Sequence, residues 1–169
     1  ALPTFDPRQV PVLGTDSHLL PVPALSLLPE ALVRRFASAH AWTPEMHSEP
    51  RFSDRELVHA SVLIPLVLRK AGLTVLLTQR ATQMSSHSGQ IAFPGGKADP
   101  QDADATATAL REALEEIGLE PQFVQVLGEL SIYTTGSAFI ITPVVALVRE
   151  GFSVQANPHG DRGLPRGAG

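Results

Sequence analysis

Three glutamates stand close together in ATATALREALEEIG (105–118): Glu112, Glu115 and Glu116, preceded by Arg111. Ala, Leu and Glu dominate the segment, which predicts a helix ending at Gly118, where a left-handed glycine closes the last turn. On that helix Glu112 and Glu116 lie one turn apart, with Glu115 about 100° from Glu116. Like charges at i and i+4 cost roughly 0.2–0.5 kcal/mol. Carboxylates in the last turns also oppose the helix dipole, each by roughly 0.3–1 kcal/mol. Arg111 can pair with Glu115 at i+4, but one arginine does not neutralise three glutamates. A local violation of this kind marks a candidate site. Clustered carboxylates suit a hard divalent cation held by oxygen, magnesium first and manganese next. The competing interpretation is a solvated acidic face. Upstream, FPGG (93–96) is a turn in which Pro94 fixes one dihedral and Gly95 and Gly96 permit close backbone approach.

These residues need a scaffold, and 169 residues suffice for one domain. Apolar residues make up 43% and charged residues 18%, so a packed core is expected rather than disorder. The net charge of −4 argues against nucleic-acid binding through a general basic surface. With no cysteine, disulfides, thiolate zinc sites and a cysteine nucleophile are excluded. The start, ALPTFDPRQV, has no signal-peptide pattern, and VLIPLVL (62–68) is too short to span a bilayer, so a cytoplasmic protein with no membrane partner is expected. The chain contains neither a G-x-S-x-G elbow nor a G-x-x-x-x-G-K-[ST] phosphate loop.

The first 30 residues hold six prolines and read as an extended arm; a flanking helix follows from Pro29, then a polar loop over 41–55. ELVHASVLIPLVLR (56–69) and LTVLLTQR (73–80) read as a hairpin of buried strands around Ala71-Gly72. FVQVLGELSIYT (123–134) and AFIITPVVALV (138–148) are further extended runs. Leu110, Leu114 and Ile117 define the helix face expected to pack on the sheet, with Glu112 and Glu116 opposite. The expected class is α/β, a sandwich around a mixed sheet. Its parts are an arm and flanking helix (1–55), a core (56–150) and an irregular or truncated tail (151–169). Trp42, Tyr133 and the seven phenylalanines are assigned to packing, and His18, His40, His47, His59 and His159 show no metal spacing.

The segment GKADPQDADATATALREALEEIGL (96–119) closely resembles the Nudix box, whose second half is R-E-U-x-E-E-x-G-U with U aliphatic. Arg111, Glu112, Glu115, Glu116, Gly118 and Leu119 match, Leu114 and Ile117 fill the unconstrained positions, and Ala113 is a small choice at a U position. The first half departs from the pattern: Gly96 stands fifteen positions before Arg111 rather than fourteen, and Ala103 falls where a glutamate is expected, so Asp102 or Asp104 would stand in. LLTQRATQMSSHSGQIAFPGG (76–96) resembles the motif that precedes the box in coenzyme A diphosphatases of the Nudix superfamily, with Ser85 in place of an expected arginine.

The resemblance implies a Nudix-type α/β/α sandwich and metal-dependent hydrolysis of coenzyme A to adenosine 3′,5′-bisphosphate and 4′-phosphopantetheine. Glu112 and Glu116 are implied as first metal ligands, and Glu115 as a third that orients or deprotonates water. The resemblance further implies that Arg111 holds Glu115, that Gly95 or Gly96 offers a backbone carbonyl to the metal, and that Arg80 and His87 are candidate contacts for the phosphates. ADP-ribose, NADH or a nucleoside triphosphate is the alternative substrate, and a non-catalytic nucleotide-binding module the second alternative. A homodimer is compatible with all three. The tail lacks the further strand and helix the resemblance leads one to expect, which either a disordered tail or a reading-frame slip near Pro158 would explain.

Overall fold

The computed structural model describes residues 9–38, 43–44, 46–79 and 91–154. Its centre is a pair of long strands, β1 (Val58–Arg69) and β8 (Phe139–Val148), running parallel in unbroken register from Val58 opposite Phe139 to Val67 opposite Val148. Both are near-continuous runs of Val, Leu, Ile and Ala, the composition of strands covered on two faces. On one side β1 pairs antiparallel with β2 (Gly72–Val75) near its end and with β5 (Gly95–Lys97) near its start. On its far side β8 pairs antiparallel with β6 (Val124–Glu129) and β7 (Tyr133–Thr134). The short strands β3 (Thr78–Gln79) and β4 (Ile91–Ala92) form a separate antiparallel pair. The sheet is therefore mixed, as the element order implied.

LTVLLTQR does not continue as one strand. Leu76 donates its N–H to the Pro65 carbonyl at 3.0 Å, and the chain then leaves β1 to pair with β4. FVQVLGELSIYT is likewise divided. Within β6 the register shifts between Val126 and Gly128, and Gly128 has φ 157°. A side chain there would meet the Phe36 ring at 3.0 Å, so the absence of one lets α1 (Pro29–Ala37) lie against β6.

The second helix, α2 (Ala105–Ile117), packs against β1, β5 and β8. The Asp104 side chain caps its start by accepting from Ala107 N at 2.7 Å. Gly118, at φ 68° and ψ 18°, ends it in the left-handed region, as the sequence predicts. The core joins Leu63 and Val67 of β1 and Val144, Ala146 and Val148 of β8 to Ala109, Ala113 and Ile117 of α2, together with Leu76 and Leu119.

One expectation is corrected. The helix face against the sheet is not Leu110, Leu114 and Ile117 with Glu112 opposite. Leu114 is 43% exposed, whereas Glu112 is 3% exposed and sits beside Ala109 and Ala113. Small alanines let the helix axis approach the sheet closely, and the space they leave takes the stem of Glu112. Ile117 remains buried and Leu110 packs at the core's edge, so the true face is rotated toward the acidic side. Among the described residues no helix is long and apolar enough to cross a membrane.

Candidate active site

A buried carboxylate needs a partner, because stripping it of water costs several kcal/mol. Glu112 has one in Arg111, whose Nη1 donates to Glu112 Oε1 at 2.9 Å. The same nitrogen reaches Glu115 Oε2 at 3.3 Å, the i+4 pair expected from spacing. The firmer hold on the guanidinium comes from Asp102. Arg111 Nε donates to Asp102 Oδ1 at 3.0 Å and Nη2 to Oδ2 at 2.9 Å, the two-pronged geometry that fixes orientation as well as charge. Arg111 Nη2 also donates to the Lys97 carbonyl at 2.9 Å, tying the helix to β5. Arg111 is therefore more than a brace for Glu115: it joins Asp102, β5, Glu112 and Glu115.

Asp102 is set for this task by its own turn. Asp99 N and Thr108 Oγ1 each donate to Asp102 Oδ2 at 2.9 Å, and Asp102 N donates back to the Asp99 carbonyl at 2.9 Å. The Arg111 hydrogen bond, then that of the Asp99 backbone, hold the Asp102 carboxyl well below the usual carboxylate range. Asp102 in turn raises Arg111 further above its already high value. The two acids offered as stand-ins for the early box carboxylate thus have separate jobs: Asp104 caps α2, and Asp102 grips Arg111.

Gly95 and Gly96 bring β5 against both β1 and the helix. A Cβ on Gly96 would lie within 2.5 Å of both Glu112 carboxylate oxygens, so the missing side chain is the space the carboxylate occupies. A Cβ on Gly95 would strike the β1 backbone, at the Ser61 carbonyl and 2.7 Å from Val62 Cα. Gly95 N donates to Glu116 Oε2 at 3.1 Å, which fixes the third carboxylate.

Glu112, Glu115, Glu116, Arg111, Gly95 and Gly96 all line one cavity of about 770 Å³. Lys97 and Asp99 add charge to the same wall, while Phe93, Phe139, Ile141 and Val62 form an apolar wall. Two phenylalanines assigned to packing, Phe93 and Phe139, are thus cavity residues. Nothing in their local sequence signals this, although Phe93 precedes the Pro-Gly-Gly turn. Arg80 and His87, and Ser85 with them, lie outside the described residues.

The donor set is chemically suited to a hard cation: three carboxylates and the carbonyls of a glycine turn, without sulfur or imidazole. Among the described residues no three His, Asp or Glu side chains already stand as a ligand array. Glu112 and Glu115 are turned to Arg111, and Glu116 to Gly95 N.

At the cavity's apolar end the backbone is strained. Ala138, 2% exposed, has φ 73°, a conformation costing a residue with a side chain about 1–2 kcal/mol. The turn that holds it is densely bonded. Ala138 N donates to the Thr135 carbonyl at 3.1 Å, Thr135 N to the Phe139 carbonyl at 2.8 Å, and Phe139 N to Thr135 Oγ1 at 3.1 Å.

A model of the NUDIX domain family matches residues 57–161. The chain is 47% identical over 108 residues to a protein described as the uncharacterized Nudix hydrolase NudL of Photorhabdus laumondii, covering 64% of this chain and 57% of that one. It is also 47% identical over 106 residues to the NudL of Yersinia enterocolitica, covering 63% and 54%. The chain therefore spans a little over half the length of these relatives. Its fold is similar to the crystal structure of RenU, a Nudix hydrolase from M. smegmatis, with a TM-score of 0.51 at 22% identity over 65% of this chain and 72% of that one. From the match over residues 57–161 it follows that this chain belongs to the Nudix family.

Proposed function

We propose that the protein hydrolyses the pyrophosphate bond of a nucleotide-derived diphosphate, coenzyme A foremost, yielding adenosine 3′,5′-bisphosphate and 4′-phosphopantetheine. The observation that carries this reading is that one cavity is lined at once by Glu112, Glu115, Glu116, Arg111 and the Gly95-Gly96 turn. The catalytic unit we infer is 56–150, flanked by the arm and helix of 1–55 and the tail of 151–169.

A diphosphate repels an incoming hydroxide, so its oxygens must be neutralised and the attacking water made more acidic. A bound magnesium ion, or manganese in its place, supplies both. Glu112 and Glu116 are the residues we assign to hold it, with Glu115 third and a Gly95 or Gly96 carbonyl in support. Glu115 is half-exposed at the cavity wall, where it can orient a water and take its proton. Arg111 is a positioning residue, since its donors are directed to Asp102, Glu112, Glu115 and the Lys97 carbonyl. Lys97, Arg80 and His87 are the cationic or proton-donating side chains we assign to substrate phosphates.

Preference for coenzyme A rests on the 76–96 motif. Ser85, at the position where that motif has arginine, favours retaining ADP-ribose, NADH or a triphosphate as the second reading. The test is incubation with coenzyme A, ADP-ribose, NADH and a nucleoside triphosphate, with magnesium or manganese, and product identification by mass spectrometry. Metal-dependent adenosine 3′,5′-bisphosphate as dominant product is expected. Dominant cleavage of another diphosphate would discard coenzyme A but keep the chemistry. No cleavage at all, with nucleotide still bound, would leave a binding module.

A further inference from the structure

Strand alternation places Val144, Ala146 and Val148 of β8 on the α2 side of the sheet, so Phe139 and Ile141 face the other way. At that end of the sheet the opposite face is the apolar floor of the cavity. Phe139 is only part-buried and, unlike Phe123 and Phe152, is not packed against the core. Its ring lines the cavity, with the Lys97 ammonium 6.0 Å from its centroid. The ring is thus a flat apolar surface beside the charged wall, the arrangement that receives a group both planar and attached to phosphate.

The strained Ala138 turn that aims this ring is braced from a distant part of the chain. Glu49 Oε2 accepts from Gly136 N at 2.9 Å, and Glu49 Oε1 from the Tyr133 hydroxyl at 3.1 Å. Phe52 N donates to the Gly136 carbonyl at 3.1 Å. A Cβ on Gly136 would lie 2.5 Å from the Phe52 ring and 2.6 Å from the Pro50 carbonyl, so the segment and the turn are in close contact. Residues 46–52 precede the stretch that matches the family model, yet they bond to the turn that leads into Phe139.

We propose that Phe139 is a specificity-determining residue on which the purine base of the substrate stacks, and that Glu49 is a positioning residue for it. The proposal rests on the hydrolase reading for the identity of the substrate, but its test does not require turnover. Calorimetric titration of the full chain compares adenosine 3′,5′-bisphosphate with inorganic pyrophosphate and 4′-phosphopantetheine, which carry no base. Phe139→Leu is expected to weaken adenosine 3′,5′-bisphosphate roughly tenfold, the scale of one base–aromatic stack, and to leave pyrophosphate unchanged. Phe139→Trp restores the nucleotide's affinity. Glu49→Gln, which retains one acceptor oxygen, produces a smaller loss confined to the base-bearing ligand.

Equal weakening of nucleotide and pyrophosphate in Phe139→Leu would overturn the proposal, as would loss of phosphopantetheine alone, nucleotide affinity equal to wild type, or no nucleotide binding by the wild type. Should Phe139→Leu fail to fold, failure of Phe139→Trp to bind the nucleotide preferentially would do the same. Phe139-dependent nucleotide binding in a protein that cleaves no diphosphate would refute the hydrolase reading and leave this one standing.

Discussion

Gly96→Ala separates the chemistry of the site from the stability of the fold. The added methyl would lie within 2.5 Å of both Glu112 oxygens, against an ordinary contact of at least 3.4 Å, so the carboxylate must withdraw by about 1 Å. What must move is the far end of a flexible side chain, not backbone, and folding can absorb that. Catalysis cannot absorb it, because a displacement of about 1 Å at a reacting group costs on the order of 10²-fold. The expected result is a melting temperature close to wild type with kcat for metal-dependent diphosphate cleavage lowered about a hundredfold. Gly95→Ala is the control of opposite character. Its methyl strikes the β1 backbone at Ser61 and Val62, which no rotamer relieves, so a loss of about 1–3 kcal/mol of stability is expected. In a domain of this size that corresponds to several degrees of melting temperature. Gly96→Ala with wild-type activity and an unchanged melting curve would refute the reasoning, since Glu112 would then tolerate displacement and have no place in the chemistry.

Glu116→Gln is expected to abolish turnover with circular dichroism unchanged, because the amide oxygen still accepts from Gly95 N; near-full activity would remove Glu116 from the metal assignment. Asp104→Ala deletes the α2 cap and should cost about 1 kcal/mol with kcat unaffected, measured by denaturant unfolding. Asp102→Asn, two residues away, should lower kcat by misplacing Arg111, and Asp102→Glu should restore part of it. The Asp102 carboxyl is lowered in the fold, so its contribution is present above its unfolded value near 4 and is lost as pH falls toward the folded value. The melting-temperature gap between wild type and Asp102→Asn should therefore be flat from about pH 5 to 8 and shrink below about pH 4. A gap that widens on acidification would contradict the clamp.

Local chemistry explains what could be seen in advance. Gly118 announced the end of α2 because a left-handed cap needs only one residue, and the glutamate spacing on that helix is a property of thirteen consecutive positions. The buried face of α2 was not legible in the same way. Hydrophobicity favoured Leu114, but the approach of β5 through Gly96 makes room for Glu112, and that information lies sixteen residues upstream. The division of labour between Asp102 and Asp104 is likewise tertiary, decided by which acid meets Arg111. Phe139 carries no local sign of its place in the cavity, which follows from β8 register and from a brace nearly ninety residues earlier at Glu49.

The parallel pairing of β1 with β8 has a consequence for how the molecule comes into being. Every paired residue lies 81 positions from its partner, from Val58 with Phe139 to Val67 with Val148. The helix and the β1–β2 hairpin can form from near neighbours, but the central ladder must wait for a distant segment, and such closures are slow. At a synthesis rate of about 5–20 residues per second, β1 emerges roughly 4–16 s before the strand that completes it. During that interval Leu63 and Val67 lack their β8 neighbours, and the apolar lining that Phe139 and Ile141 give the cavity does not exist. The nascent chain thus carries its acidic helix well before it has anywhere to seat a substrate, and the arrival of β8 completes core and cavity in one step.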